Sequence, residues 1–163
     1  MILAIITEPN PILRKRAVEL KTADLVSVKI KNLITNLTET MHQRDGVGIA
    51  APQVGKSIRL CVINKKYANT ADDLILINPI WNKKTIRTTT DSEGCLSVPG
   101  MWGDVKRYKK ISVQAIDVGG APLNFSAEDF FARIIQHEVD HLDGILFIDK
   151  AKKLFKEKTE TAL

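Results

Sequence analysis

The chain is short of the residues that usually carry chemistry. Its 163 residues include two cysteines and three histidines, and aromatic side chains make up only 6%. Cys61 and Cys95 allow one disulfide by arithmetic, but without an export signal free thiols are the better reading. The opening apolar run, Met1 to Ile6, is too short for a signal peptide and lacks a basic segment before it. No stretch approaches the roughly 18 apolar residues that would cross a bilayer. These absences exclude a disulfide scaffold and a helical membrane protein, and the expectation is an unexported, cytoplasmic chain. There is also no internal repeat, low-complexity tract or linker, so 1–163 reads as a single domain. No RNP-type, zinc-knuckle or helix-turn-helix signature is present.

What is present is ordinary in bulk. Hydrophobic residues make up 44% and charged residues 26%, as in soluble globular domains. The 24 Lys plus Arg against 19 Asp plus Glu leave a net charge of +5. That excess favours attraction to an RNA-rich surface such as the ribosome, though a solvated basic face is the commoner outcome.

Leu25, Val26, Ile30, Leu33, Ile34, Leu37 and Met41 recur at helical spacing and predict an amphipathic helix over 24–44, capped by Asp24 and ended by Gly46. A Gly-rich loop follows over 46–55. Strands are expected at 58–64, 73–78, 84–90 and 109–117, the last turning at Gly119-Gly120 into a strand at 121–126. A second helix should span about 127–143, with Ser126 as N-cap, Glu128 and Asp129 in its first turn and Gly144 at its end. A short basic helix from Lys150 to about Lys158 closes the chain. Strands in the centre flanked by helices predict an α+β fold, with mixed or antiparallel sheets packed on the second helix. Cys61, in the apolar run 58–63, reads as a core thiol.

The sharpest feature is His137-Glu138-Val139-Asp140-His141. On a helix, positions i and i+4 lie one above the other, so both imidazoles can reach one metal ion, with Glu138 placed to move a proton. A catalytic site needs a third ligand. The extended peptidase pattern would put a histidine at 147, where Phe147 stands, and for a thermolysin-like glutamate only Glu157 and Glu160 remain. Cys95, in Glu93-Gly94-Cys95-Leu96-Ser97, is the best remaining candidate, its alternative being a small buried thiol at a strand end. A structural zinc site would need a fourth protein ligand, for which only His42 is available.

Three segments, Gly46–Gln53, Glu93–Ser97 and Gln136–His141, resemble the three motifs of the peptide deformylases, GxGxAAPQ, EGCLS and QHExDH, in the family's order. The likeness extends over Pro9–Ala17 and Gly100–Arg107. It implies removal of the formyl group from N-formylmethionyl nascent chains, with release of formate. It also implies Cys95, His137 and His141 as metal ligands and a water activated at the open position, with Glu138 as general base and acid. The Gln53 amide and the Leu96 backbone N–H would stabilise the oxyanion. The metal implied is one divalent ion, ferrous iron in the cell, with zinc, nickel or cobalt able to occupy the same ligands. Gly46 and Gly48 would let a substrate backbone approach closely, while Val47 and Ile49 either line the methionine pocket or pack in the core. The basic segment Lys150–Lys156 offers a ribosome contact. The alternatives are a zinc peptidase on the same helix and a catalytically idle ribosome-binding relative, though the latter should have lost Glu138, Gln53 or a ligand.

One expectation concerns support for the site. Glu93 and Asp140 must come close if Cys95 is to meet the histidine helix, and two acids so placed need a cation between them. Arg107, with its planar fork, is expected to bridge them in a Glu93–Arg107–Asp140 network, the alternative being that all three are solvated surface charges.

Overall fold

The computed structural model describes residues 1–156. After a 3-10 turn at Pro11–Arg14 come α1 (Thr22–Leu25), α2 (Val28–Gln43), β1 (Gly48–Ala50) and a second 3-10 turn, Ala51–Val54. Next are β2 (Leu60–Ile63), α3 (Lys65–Ala68), β3 (Leu74–Lys83), β4 (Thr88–Cys95), β5 (Val98–Tyr108), β6 (Lys110–Ile116) and β7 (Pro122–Glu128). The chain then forms α4 (Asp129–Leu142), α5 (Phe147–Lys150) and β8 (Leu154–Lys156). The strands make a five-stranded sheet, β1-β2-β3-β6-β7, and a three-stranded sheet, β4-β5-β8, all with antiparallel neighbours. The fold is α+β.

Burial on both faces explains the unbroken apolar run of β2. Cys61 and Ile63 pack with Ile135, Val139 and Leu142 of α4. Leu60 and Val62 belong to the opposite layer, with Leu37 and Met41 of α2. The five-stranded sheet is thus sandwiched between α2 and α4, and Cys61 is a free, fully buried thiol. Leu13, Val98, Val105, Leu146 and Phe147 form a third cluster beside the smaller sheet. Gly144 joins α4 to it: its φ is +74°, and a Cβ there would lie 2.7 Å from the Arg14 backbone.

Several boundaries differ from the sequence expectation. The helix at 24–44 is broken. Asp24 closes the turn of α1 by accepting from Lys21 N at 2.8 Å, and Ser27 caps α2 by accepting from Ile30 N at 3.3 Å. Val26, counted on the apolar stripe, is 74% exposed at the break. The second helix starts at Asp129 rather than about 127, because 126–128 continue β7 in register with β6. Ser126 caps nothing; its hydroxyl accepts from Lys84 Nζ at 2.9 Å.

The short C-terminal helix lies at Phe147–Lys150, not from Lys150 onward. Leu154–Lys156 pair with β5 as a strand, and 157–158 fall outside the described residues. The strand at 84–90 moves to Thr88–Cys95, and β5 was not foreseen. Its alternation is hidden because Gly103 and Arg107 occupy inward positions alongside Val98 and Val105.

Candidate metal centre

Helix α4 carries His137 and His141 one turn apart, with ring centroids 4.9 Å from each other. The β4–β5 hairpin brings the third group. Its register shifts between Gly94 and Cys95, and the short connection Leu96-Ser97 leaves Cys95 facing the helix. Cys95 Sγ lies 3.2 Å from His141 Nε2, and the ligand atoms of Cys95, His137 and His141 all fall within 4.8 Å of one another. Atoms bonded to one ion at about 2.0–2.3 Å stand about 3.3–3.7 Å apart, so the cluster fits a single ion. His137 Nδ1 is engaged by Glu93 Oε2 at 2.9 Å, which leaves Nε2 for the ligand role. His141 has no such support, and its Nδ1 is buried without a partner among the described residues.

The electrostatics favour a thiolate. Burial pushes the Cys95 thiol up, but His141 and His137 outweigh it and draw the pKa well below the ordinary value. Burial pulls His137 down, yet hydrogen bonds to Cys95 and Glu93 push it up to about 10. Ser97 N and Gln53 Nε2 add donors to the sulfur, each at 3.4 Å.

Glu93, Arg107 and Asp140 meet behind the ligands, all buried. Arg107 gives Nε and Nη2 to the two Glu93 oxygens at 2.9 and 2.8 Å, and Nη1 to Asp140 Oδ2 at 2.5 Å. Burial works against Glu93 ionisation, but Arg107 and then His137 hold its carboxyl well below the usual carboxylate range. Removing one partner of such a buried pair typically costs about 3–5 kcal/mol, because the other charge is left uncompensated.

Two further cations were missed. Arg133 Nη1 donates to Glu93 Oε1 at 2.7 Å, and Lys150 Nζ to Asp140 Oδ1 at 2.7 Å. Arg133 had a visible signal, a lone arginine amid Ala132, Ile134 and Ile135 on a helix destined for the core. Lys150 had none, since its partner lies on another helix.

Glu138, beside the ligands, is buried, and its Oε2 has no partner among the described residues. Burial raises its pKa, with the nearby histidines pulling the other way. Its carboxylate presses on β1: a Cβ on Gly48 would lie 2.6 Å from Glu138 Oε1. Gly48→Ala is therefore expected to displace the carboxylate and lower kcat by about 10²-fold, the scale of a displacement near 1 Å, with metal content unchanged. Steady-state turnover alongside metal analysis checks this, and parent-like kcat would show that the carboxylate position is not critical.

Gln53, in the 3-10 turn after β1, is buried. Its Oε1 accepts from Ala50 N at 2.8 Å, and its Nε2 points toward Cys95 and Ser97 Oγ, the latter at 3.3 Å. A cleft of about 980 Å³ opens over these groups. Gly46, Val47, Gly48, Gln53, Leu96 and Glu138 line it, and Phe130, Ile134 and Trp102 add apolar walls that were not anticipated. Ile49 is corrected: it is wholly buried in the layer under α2 and is not part of the cleft wall. Its neighbours in β1 alternate with it, so only one of the two faces can reach the cleft. His42 lies apart, paired with Asp73 at 2.6 Å.

Three side chains able to hold one ion, with a buried carboxylate beside them, are the equipment of a single-metal hydrolase. The sequence matches the polypeptide deformylase family over residues 2–157. It is 41% identical to a peptide deformylase of Desulforudis audaxviator over 154 residues, covering 94% of this chain and 96% of that protein. Among solved structures, the peptide deformylase of Thermotoga maritima superposes with a TM-score of 0.85 at 36% identity, covering 94% of this chain and 99% of the other. A Met-Ala-Ser-bound class I type b peptide deformylase of Acinetobacter baumannii gives 0.84 at 33% identity, with coverage of 92% and 98%. The chain belongs to the polypeptide deformylase family and is a metal-dependent hydrolase of N-terminal processing in protein biosynthesis. No helix of the described residues is long and apolar enough to cross a membrane.

Proposed function

We propose that this chain removes the formyl group from N-formylmethionyl nascent polypeptides and releases formate, with Cys95, His137 and His141 holding one divalent ion. The observation that carries this reading is the buried Glu138 carboxylate, one oxygen unpartnered, lining the same cleft as Cys95, His137 and Gln53. A bound divalent ion supplies Lewis-acid polarisation and makes water a nucleophile near neutral pH. Glu138 takes the proton from the attacking water and returns it to the departing amine nitrogen. The Gln53 Nε2 and the Leu96 N–H face the carbonyl oxygen as charge develops on it. The Glu93–Arg107–Asp140 network holds the Cys95 hairpin against α4.

Specificity follows from the walls. β1 and β4 are edge strands of their sheets, and Gly46, Gly48 and Gly94 line the cleft with them. An extended peptide laid there is held through its main chain, which suits an enzyme acting on many sequences. Val47, Phe130 and Ile134 offer an apolar recess for the methionine side chain, in keeping with the Met-Ala-Ser bound by the Acinetobacter relative. Cys95, His137 and His141 would hold ferrous iron in the cell, or zinc, nickel or cobalt in its place, and the Cys95 thiolate beside iron would be prone to oxidation by dioxygen, so that activity would fade in air. An enzyme acting on nascent chains would work in the cytoplasm, where Lys152, Lys153 and Lys156, all exposed, could meet the ribosome.

Formate release from formyl-Met-Ala-Ser, measured with metal content, tests the activity. A metal-loaded enzyme inert toward it would overturn the reading. Gln53→Leu is expected to lower turnover by about 10²–10³-fold, the usual effect of losing one oxyanion donor. Equal metal content in the variant separates this from ligand loss, and unchanged turnover would leave Gln53 as only a brace for Ala50 N.

A further inference from the structure

Arg107 cannot serve Glu93 alone. Two of its donors go to Glu93 and the third to Asp140, so one guanidinium faces two buried carboxylates. Asp140 has a second cation in Lys150, and the corresponding group for Glu93 is Arg133, four residues before His137 on the same face of α4. Every other bond of Arg133 anchors it to the smaller sheet. Nη1 also donates to Val105 O of β5 at 2.9 Å, while Nη2 donates to Thr89 O and Oγ1 of β4 at 3.0 and 3.1 Å. Arg133 therefore ties α4 to both long strands of that sheet and ends on Glu93 Oε1. The opposite oxygen, Oε2, is the one on His137 Nδ1.

We propose that Arg133 is a positioning residue for the metal centre: by fixing Glu93 Oε1 it keeps Oε2 on His137 Nδ1 and so holds the tilt of that ring, with Nε2 turned to the site. The inference rests on His137 serving as a ligand, but its consequence is read on the imidazole itself. The chain has three histidines, and His42 lies outside the cluster as an internal reference.

The test is nitrogen-15 NMR of histidine-labelled full-length protein, with and without added zinc. In the parent, His137 should show a protonated Nδ1 whose proton is shifted downfield and slow to exchange. Arg133→Met keeps the apolar stem and removes the fork. It should move that proton upfield, speed its exchange about 10-fold or more, and weaken zinc retention against a chelator by about 10–100-fold, with His42 unchanged. Arg133→Lys, which keeps the charge, should fall between Arg133→Met and the parent. A parent-like His137 signal in Arg133→Met, whatever the change in Tm, reduces Arg133 to scaffolding and overturns the proposal. If Arg133→Met does not fold, Thr89→Val decides, since it removes one anchor and leaves the charge in place. A smaller shift of the same sign supports the proposal, and an unchanged spectrum overturns it. Failure of the wider functional reading is distinct: zinc would then leave the His137 and His141 Nε2 signals unmoved in the parent itself.

Discussion

Cys95→Ala is expected to fold and to bind no stoichiometric metal, with turnover of a formylated peptide at background. The thiolate is the one anionic member of the proposed ligand set, and two imidazoles alone do not complete a catalytic site. Its loss also leaves the mutual support of Cys95 and His137 without its negative partner. Cys95→Ser should fail in the same way, because a hydroxyl of similar size stays neutral where the thiol ionises. Elemental analysis, turnover and circular dichroism on the two variants check this, and a chelator applied to the parent should reproduce the loss reversibly. Stoichiometric metal and normal turnover in Cys95→Ala would remove the sulfur from the ligand set.

Glu138→Ala should separate chemistry from binding. Metal should stay, since Glu138 lies outside the proposed ligand set, while kcat should fall by about 10²–10⁴-fold with loss of the proposed proton carrier. The pH profile supplies a second readout. A base must be deprotonated to act, so kcat/KM falls as pH drops through the Glu138 pKa. Burial moves that pKa upward from the ordinary glutamate value, and a bound cation moves it back down. Whatever its position, the acid limb is expected to come from Glu138 and should be absent from the residual activity of Glu138→Ala. Near-normal turnover in that variant, or the same acid limb, would assign the proton transfer to another group.

How much of this was legible in the chain depended on range. The pair His137 and His141 could be read directly, because four residues on a helix put two side chains on one face in any protein. Helix boundaries were less legible. Ser126 has the chemistry of an N-cap, but cross-strand pairing of 126–128 with β6 overrode it. Asp24, expected to cap one long helix, instead sits inside α1 and accepts from Lys21 N, and it is Ser27 that caps α2. β5 escaped because its inward positions include a charged residue, Arg107, whose partners Glu93 and Asp140 lie 14 and 33 residues away.

The same divide runs through the site. By sequence alone the chain offered its candidate site chemistry: a helix with two imidazoles and a carboxylate between them, a thiol at Cys95 able to complete the set, and an arginine able to join two acids. The helix trio follows from residue type and local spacing, which covalent geometry imposes before any packing occurs, whereas Cys95 and Arg107 were candidates by residue type and by the family resemblance. Only the tertiary structure decided that Ile49 turns into the core while Glu138 fills the space where a side chain at 48 would stand, that Lys150 backs Asp140, and that Arg133 backs Glu93. Those pairings join elements distant along the chain. Their partners are selected by sheet register, by the packing of α4 between the sheets, and by the cost of leaving any buried charge alone.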